Sequence, residues 1–450
     1  MMNLYNLFKI RRPIYILIIV NLLFFTLLFL YRKPMDTSIL IAGVAVILLM
    51  SLSYVLIVKR KMGDQYIFLI ISMLTSLGII MLYRLNPAYG SRQIMIYGLG
   101  VVLYFFAYIV FRATNNWHQY IFLYIGFNFA LFIATFAIGT SVKGATNWIN
   151  IGGFNFQPAE IIKVSFVFFI AAYYNMRLSE DTTLEEVEVK LEEEEEIPQE
   201  QKEKKDFFAL LNRENLNIKN VYVFLAISYL HIFFLLMQRE LGISMLFYVV
   251  FLSIFYIYEE DHKLLLYNVG AAVIIAVLSY FTMSHVEVRL MTWINPWADI
   301  AGKGYQITQS LFAIAAGGFF GTGLGLGSPG YIPEVHTDFI FSAICEELGL
   351  FGGMAVVLLY FILTYRGFKI ALSIKDHFKK IVALGITLIY GYQTFIIVGG
   401  VIKLIPLTGV TLPFISYGGT SLISAFVSFG ILQAISKKTI EKDEVAVLGE

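Results

Sequence analysis

The chain has 450 residues, 58% of them hydrophobic and only 14% charged, with a mean hydropathy of +0.74. An ordinary globular surface needs about 25% charged residues, so this chain faces a medium other than water over most of its area, and the bilayer is that medium. The balance of 33 Lys+Arg against 32 Asp+Glu leaves no basic field for nucleic acid, and a single cysteine, Cys345, excludes an intrachain disulfide or a cysteine-rich metal site.

In chain order, twelve apolar runs approach the length that crosses about 30 Å of hydrocarbon as helix. They lie at about 13–31, 38–58, 66–84, 93–112, 120–139, 157–175, 219–237, 242–258, 264–283, 339–364, 380–400 and 412–435. A long amphipathic stretch, 284–337, separates the ninth from the tenth. The fold class is therefore an all-α integral membrane protein of about twelve transmembrane helices. A transmembrane barrel would show short alternating segments instead, which makes sheets improbable.

The first run follows Lys9, Arg11 and Arg12 as a signal peptide would, but it lacks a small-residue cleavage site and runs into Tyr31-Arg32-Lys33. It reads as a retained anchor. Basic residues concentrate at the N-terminus, at Lys59-Arg60-Lys61, after Arg366 and at Lys437-Lys438. The positive-inside rule then puts both termini in the cytoplasm, with 85–92, 140–156, 238–241, 284–337 and 401–411 on the outer face. The cytoplasmic loop 178–218 is different in kind: it carries the run Glu192 to Glu196 and has almost no aromatics before Phe207. Such a segment buries too little to fold alone and reads as a solvated tether, with a docking site for a basic partner as the alternative.

Soluble-enzyme signatures are missing. Gly321, Gly323, Gly325 and Gly327 follow no strand and precede no Gly-Lys-Ser/Thr, so they read as a flexible loop. The six histidines show no zinc spacing, and no Gly-x-Ser-x-Gly elbow occurs. Polar groups at membrane depth remain. A charge there costs about 2.5–3.5 kcal/mol on insertion scales and therefore needs a partner or a wet cavity. Glu160 and Lys163, three apart on one helical face, can neutralise each other either as a structural pair or as a cavity wall. Glu240, beside Arg239, suits a simple interfacial charge.

The densest constellation runs from Arg289 through Trp293-Ile294-Asn295-Pro296-Trp297-Ala298-Asp299 and Lys303-Gly304-Tyr305-Gln306 to Pro333-Glu334-Val335-His336-Thr337-Asp338-Phe339. Asp338 has two readings: with Thr337 it caps the positive end of the helix that follows, or it stands at the mouth of a cavity. Trp293, Trp297, Tyr305 and Tyr331 would offer that cavity faces suited to sugars, which points to a glycan or glycolipid.

Three blocks carry a family resemblance. They are Gly144-Ala145-Thr146-Asn147-Trp148-Ile149 through Gln157-Pro158-Ala159-Glu160-Ile161-Ile162-Lys163; Asn295-Pro296-Trp297 through Gly304-Tyr305-Gln306 to His336-Thr337-Asp338-Phe339 and Glu346-Glu347-Leu348-Gly349; and Ile405-Pro406-Leu407-Thr408-Gly409 through Pro413-Phe414-Ile415-Ser416-Tyr417-Gly418-Gly419. On these the chain resembles the SEDS family (shape, elongation, division and sporulation), the RodA, FtsW and SpoVE relatives. The resemblance covers about 66–436, leaving two additional helices in 1–65 and a cytoplasmic tail at 437–450. The family has a ten-helix core, which agrees with twelve spans.

The resemblance implies a peptidoglycan glycosyltransferase that polymerises lipid II, a membrane-bound undecaprenyl-pyrophosphate-linked substrate, on the outer face of the bacterial cytoplasmic membrane. It implies Asp338 as general base and a class B penicillin-binding protein as partner. Arg289 and Lys163 are the expected cations for the departing pyrophosphate, with Lys403 as a third, and Glu160 is expected to position Lys163. Ser416, Tyr417, Gly418 and Gly419 are expected to let a helix end approach the cavity. No organic cofactor is implied, and a divalent cation has no support in the sequence. Two departures stand out: the family's Gln-Pro-Asp-Leu-Gly is Gln238-Arg239-Glu240-Leu241-Gly242 here, and Val398-Gly399-Gly400-Val401-Ile402-Lys403 replaces a common Asn-Ile-Gly pattern. A lipid II flippase or a non-catalytic scaffold would also need a polar intramembrane cavity or a docking face, so both stand as alternatives.

Overall fold

A computed structural model describes residues 13–31, 35–142, 145–152, 154–193 and 220–448. Its helices are α1 (Ile14–Tyr31), α2 (Thr37–Lys59), α3 (Gln65–Leu85), α4 (Pro87–Ala113), α5 (Ile121–Ile138), α6 (Pro158–Glu193), α7 (Val221–Met237), α8 (Leu241–Tyr258), α9 (His262–Thr282), α10 (Ser284–Ile294), α11 (Tyr305–Gly317), α12 (Ile340–Ser373), α13 (His377–Val401) and α14 (Gly419–Leu448). Among the described residues, eleven helical segments are long and apolar enough to cross a membrane, and α7, at 17 residues, is shorter. The chain is a multi-pass, all-α membrane protein.

Six of the described helices start where the sequence supplies an acceptor for the first free amides. Asp36, Asp64, Asn86, Asn220, Asp261 and Asp376 cap α2, α3, α4, α7, α9 and α13 with their side chains. Hydrocarbon offers these amides no water, so the caps lie in the connections, where the chain leaves the bundle. α3 is buried over 83% of its apolar window and α9 over only 6%, which makes α3, α13 and α14 central and α9 peripheral. Buried amides and hydroxyls tie the centre together: Tyr104 Oη donates to Gln433 Oε1 at 2.9 Å, and Gln433 Nε2 donates to the Met62 carbonyl at 3.0 Å.

Several expectations are revised. The segment 140–156, expected as an outer-face connection, forms a three-stranded antiparallel sheet, β1 (Thr140–Val142), β2 (Ala145–Ile151) and β3 (Phe154–Phe156), pairing Thr140 with Trp148 and Ile149 with Phe156. It caps the bundle beside the membrane spans, so the hydrocarbon's demand for helices does not apply there. α6 does not end near 175: its backbone stays helical through Glu193 into the acidic segment, and the rest of that segment lies outside the described residues. α14 likewise continues through the expected tail to Leu448.

The tenth span breaks at Gly349 (φ 71°, ψ −172°), a conformation accessible essentially only to glycine. Residues 340–348 form a short buried helix against α11, and 350–373 form the long apolar one. The four-glycine segment is pinned rather than free. The amides of Thr322 and Gly323 donate to the carbonyls of Glu346 (2.9 Å) and Glu347 (3.0 Å), and Gly325 donates to Glu347 Oε2 at 2.9 Å. Arg84 closes the cluster, donating to Glu347 Oε1 at 2.9 Å and to the Gly327 carbonyl at 2.8 Å.

Candidate functional site

The loops that follow α9 and α13 meet at one end of the bundle around a cavity of about 300 Å³. Arg289, Trp293, Lys303, Gln306, Glu334, Asp338, Lys403 and Gly409 are among its lining residues. α10 supplies one wall because Val288, Arg289, Thr292 and Trp293 recur at helical spacing on a single face. Two hydrogen bonds fix that face to the 402–418 loop: Arg289 Nη1 donates to the Thr408 carbonyl at 2.9 Å, and Trp293 Nε1 donates to the Lys403 carbonyl at 3.2 Å.

Asp338 enters from the opposite side. α12 begins at Ile340 with Phe339 as its cap, which places Asp338 one residue ahead of the cap position. Thr337 is also occupied elsewhere, its hydroxyl donating to the Glu334 carbonyl at 3.1 Å. The backbone of Asp338's turn is held from below instead: Ser416 Oγ donates to the Thr337 carbonyl at 2.6 Å, and the Tyr417 amide donates to the His336 carbonyl at 2.8 Å. Tyr89 stacks on His336 at 4.6 Å and packs against Tyr417 at 4.8 Å, completing the clamp.

Gly409 lies where the two walls converge. It has φ +74°, and a Cβ on it would lie 3.3 Å from Arg289 Nη2 and 3.6 Å from Asp338 Oδ2. The guanidinium and the carboxylate therefore both lie against the bare backbone of Gly409, where a side chain would crowd them. Burial pulls the Arg289 pKa below its usual value, while the negative charges of Asp338 and Glu240 act against that pull.

Of the residues singled out in the sequence, the structure brings Asp338, Arg289 and Lys403 to one cavity. Ser416 and Tyr417 support it through the backbone, and Gly418 and Gly419 lead into α14 beside them. Lys163 and Glu160 do not line this cavity. They form a dry ion pair, 2% and 3% exposed, in which Lys163 Nζ donates to Glu160 Oε2 at 2.8 Å and to Gln393 Oε1 at 3.0 Å. The physical reason is that each charge is already neutralised and hydrogen-bonded within the bundle, so neither needs water or ligand. Trp293 is the cavity aromatic; Trp297 and Tyr331 are exposed outside it.

Sequence reasoning gave no site role to Lys303, Gln306, Glu334 or Gly409, although all stand inside the quoted blocks or directly beside them. Glu240 is more than an interfacial charge. It accepts from Asn147 Nδ2 and, at 2.7 Å, from Gln157 Nε2, and burial raises its pKa despite those donors. Among the described residues there is no grouping of three or more His, Cys, Asp or Glu suited to hold a metal ion.

Comparison with known proteins extends the geometry. The chain is 32% identical over 391 residues to the peptidoglycan glycosyltransferase RodA of Mycobacterium tuberculosis strain H37Rv, covering 83% of this chain and 78% of that one. It is 28% identical to stage V sporulation protein E of Bacillus subtilis strain 168, covering 84% and 98%. Its fold matches a chain of a solved peptidoglycan synthase complex that coordinates polymerization and crosslinking, with TM-score 0.65 at 20% identity, covering 84% and 98%. A family model described as a cell cycle protein matches residues 64–441, leaving α1 and α2 outside it, and on that match the chain belongs to the FtsW/RodA/SpoVE family.

Proposed function

We propose that this protein is a peptidoglycan glycosyltransferase that polymerises lipid II into glycan strands, with Asp338 as the general base. The observation that carries the reading is the convergence of the Asp338 carboxylate and the Arg289 guanidinium over Gly409 on a cavity at one end of a membrane bundle. Family membership supports the reaction class.

Asp338 takes the proton from the acceptor sugar's 4-hydroxyl as that oxygen attacks the donor's anomeric carbon. The new C–O bond forms on the face opposite the pyrophosphate, so an α-linked donor becomes a β-1,4 linkage. The old bond breaks with its electron pair leaving on the lipid pyrophosphate, which needs no proton to depart. Arg289 suits those phosphate oxygens by its planar donors, and Lys403 and Lys303 add charge on the same cavity. The reading needs no organic cofactor, and a divalent cation is no part of it.

The bundle end that carries Lys59, Arg60, Lys61, Arg366 and Lys375 is assigned to the cytoplasm, with both termini, because short loops there hold the basic residues. The cavity then opens on the outer face, where a class B penicillin-binding protein would receive the strands for crosslinking. The likeness of this fold to a chain of a peptidoglycan synthase complex that coordinates polymerization and crosslinking is consistent with such a partner. The test is glycan polymer formed from lipid II by the purified protein. Polymer lost in Asp338→Asn with the fold retained supports the proposal; undiminished polymer in that variant, or lipid translocation without polymer, overturns it.

A further inference from the structure

The buried pair Glu160–Lys163 is linked by two hydrogen bonds in series to the loop that borders the cavity. Lys163 Nζ donates to Gln393 Oε1 at 3.0 Å, and Gln393 Nε2 donates to the Thr411 carbonyl at 2.9 Å. Thr411 belongs to the loop that also supplies the Thr408 carbonyl to Arg289 and bears Gly409 beside Asp338. Lysine can only donate, so its ammonium turns the Gln393 amide oxygen toward itself and leaves the NH₂ aimed at the loop. Gln393 is fully buried in α13, with no water to substitute for either partner. The opposite end of the path is anchored as well: Ser424 Oγ of α14 donates to the Glu160 carbonyl at 2.7 Å, and the Lys163 ammonium lies 5.1 Å from the Tyr390 ring centre.

We propose that Gln393 is a positioning residue: held in one amide orientation by Lys163, it fixes the 402–418 loop so that Arg289 and Gly409 face Asp338. The Glu160–Lys163 pair thus acts on the reaction through the loop without touching substrate. The assignment rests on the glycosyltransferase reading above for its kinetic arm and is independent of it for its structural arm.

Two variants separate the partners of this amide. Gln393→Met removes both bonds. Gln393→Glu keeps an acceptor for Lys163 but, when ionised, has no hydrogen to give Thr411. The introduced carboxyl would face Lys163 and Glu160 from α6, Tyr390 from its own helix, and the uncharged Thr411 from the loop. At neutral and alkaline pH both variants lack the bond to Thr411 that holds the loop, and both are expected to turn over lipid II roughly threefold to tenfold more slowly than the native protein, the worth of that one buried hydrogen bond. As pH falls, Gln393→Glu should recover relative to native protein at the same pH, because the protonated acid regains a donor for the Thr411 carbonyl. Gln393→Met should not recover.

Hydrogen exchange read on the same preparations should show faster exchange across 402–418 in Gln393→Met, with α6 unchanged. Native turnover in either variant, equal pH profiles for the two, or unchanged loop exchange overturns the proposal. Should neither variant fold, Gln393→Asn replaces them: its amide is one methylene too short to reach both partners, and faster loop exchange is again the expected result, unchanged exchange the overturning one. If the native protein makes no polymer, the glycosyltransferase reading fails, while the exchange measurement still decides whether Gln393 holds the loop.

Discussion

Two charged clusters about one loop behave in opposite ways. Glu160 and Lys163 are 3% and 2% exposed, bonded to each other and to a neutral amide. Asp338, Glu334, Arg289, Lys303 and Lys403 instead surround a cavity of about 300 Å³. The first cluster is sealed and locally neutral, the second arranged around open space. Charge inside a membrane protein thus does not by itself mark a binding site. What distinguishes the two is whether protein atoms already fill the coordination that the charges require.

The comparison breaks most sharply at Asp338. Asp338→Asn should lower turnover by about 10²-fold or more, the range for loss of a general base, with the melting temperature nearly unchanged. Polymer yield and a thermal melt on one preparation check both halves. Lys163→Met should instead cost about 3–5 kcal/mol of stability by stranding a buried carboxylate, and slow turnover only by the roughly threefold to tenfold expected when Gln393 is released. Adding Glu160→Gln to it should restore most of that loss in a thermal melt; a double variant no more stable than the single one would break the contrast between sealed and cavity-lining charge.

Arg289→Lys should reduce turnover roughly tenfold to a hundredfold, since a point charge replaces a fork that holds the Thr408 carbonyl and, in the proposed reaction, also serves the leaving group. Lipid II kinetics would show this, and native rates would remove Arg289 from the proposed chemistry. The smallest effect is expected at Lys403, which holds a left-handed backbone at φ 64°. Lys403→Gly relieves that strain but adds freedom to the unfolded chain, so stability should move by no more than about 1 kcal/mol. Turnover should fall by no more than about fivefold, as for a partly solvated charge.

Much of the architecture was legible along the chain because hydrocarbon imposes a length and a composition on every span. The run at 66–84 became α3, and Asp64 before it became the cap. The break at Gly349 was not legible, since Gly352 and Gly353 follow within four residues and remain helical. What singles out Gly349 is contact from outside its own helix: a Cβ there would lie 2.3 Å from the Gly321 nitrogen and 2.5 Å from the Phe319 carbonyl. Lys163 was misplaced for a related reason. Its spacing from Glu160 shows that the two can pair, but the same spacing serves a cavity wall and a sealed core equally well.

The sequence by itself determined the solvent and the order of the apolar segments that became helices, because each follows from local composition, and a contiguous motif singled out Asp338. Only the tertiary structure decided which charges share a cavity. Arg289, Asp338 and Gly409 come from three separate segments, and Lys163 is withdrawn from them by a glutamine 230 residues away. Proximity between distant segments is a property of packing, and packing is set by shape complementarity that no short stretch of residues encodes alone.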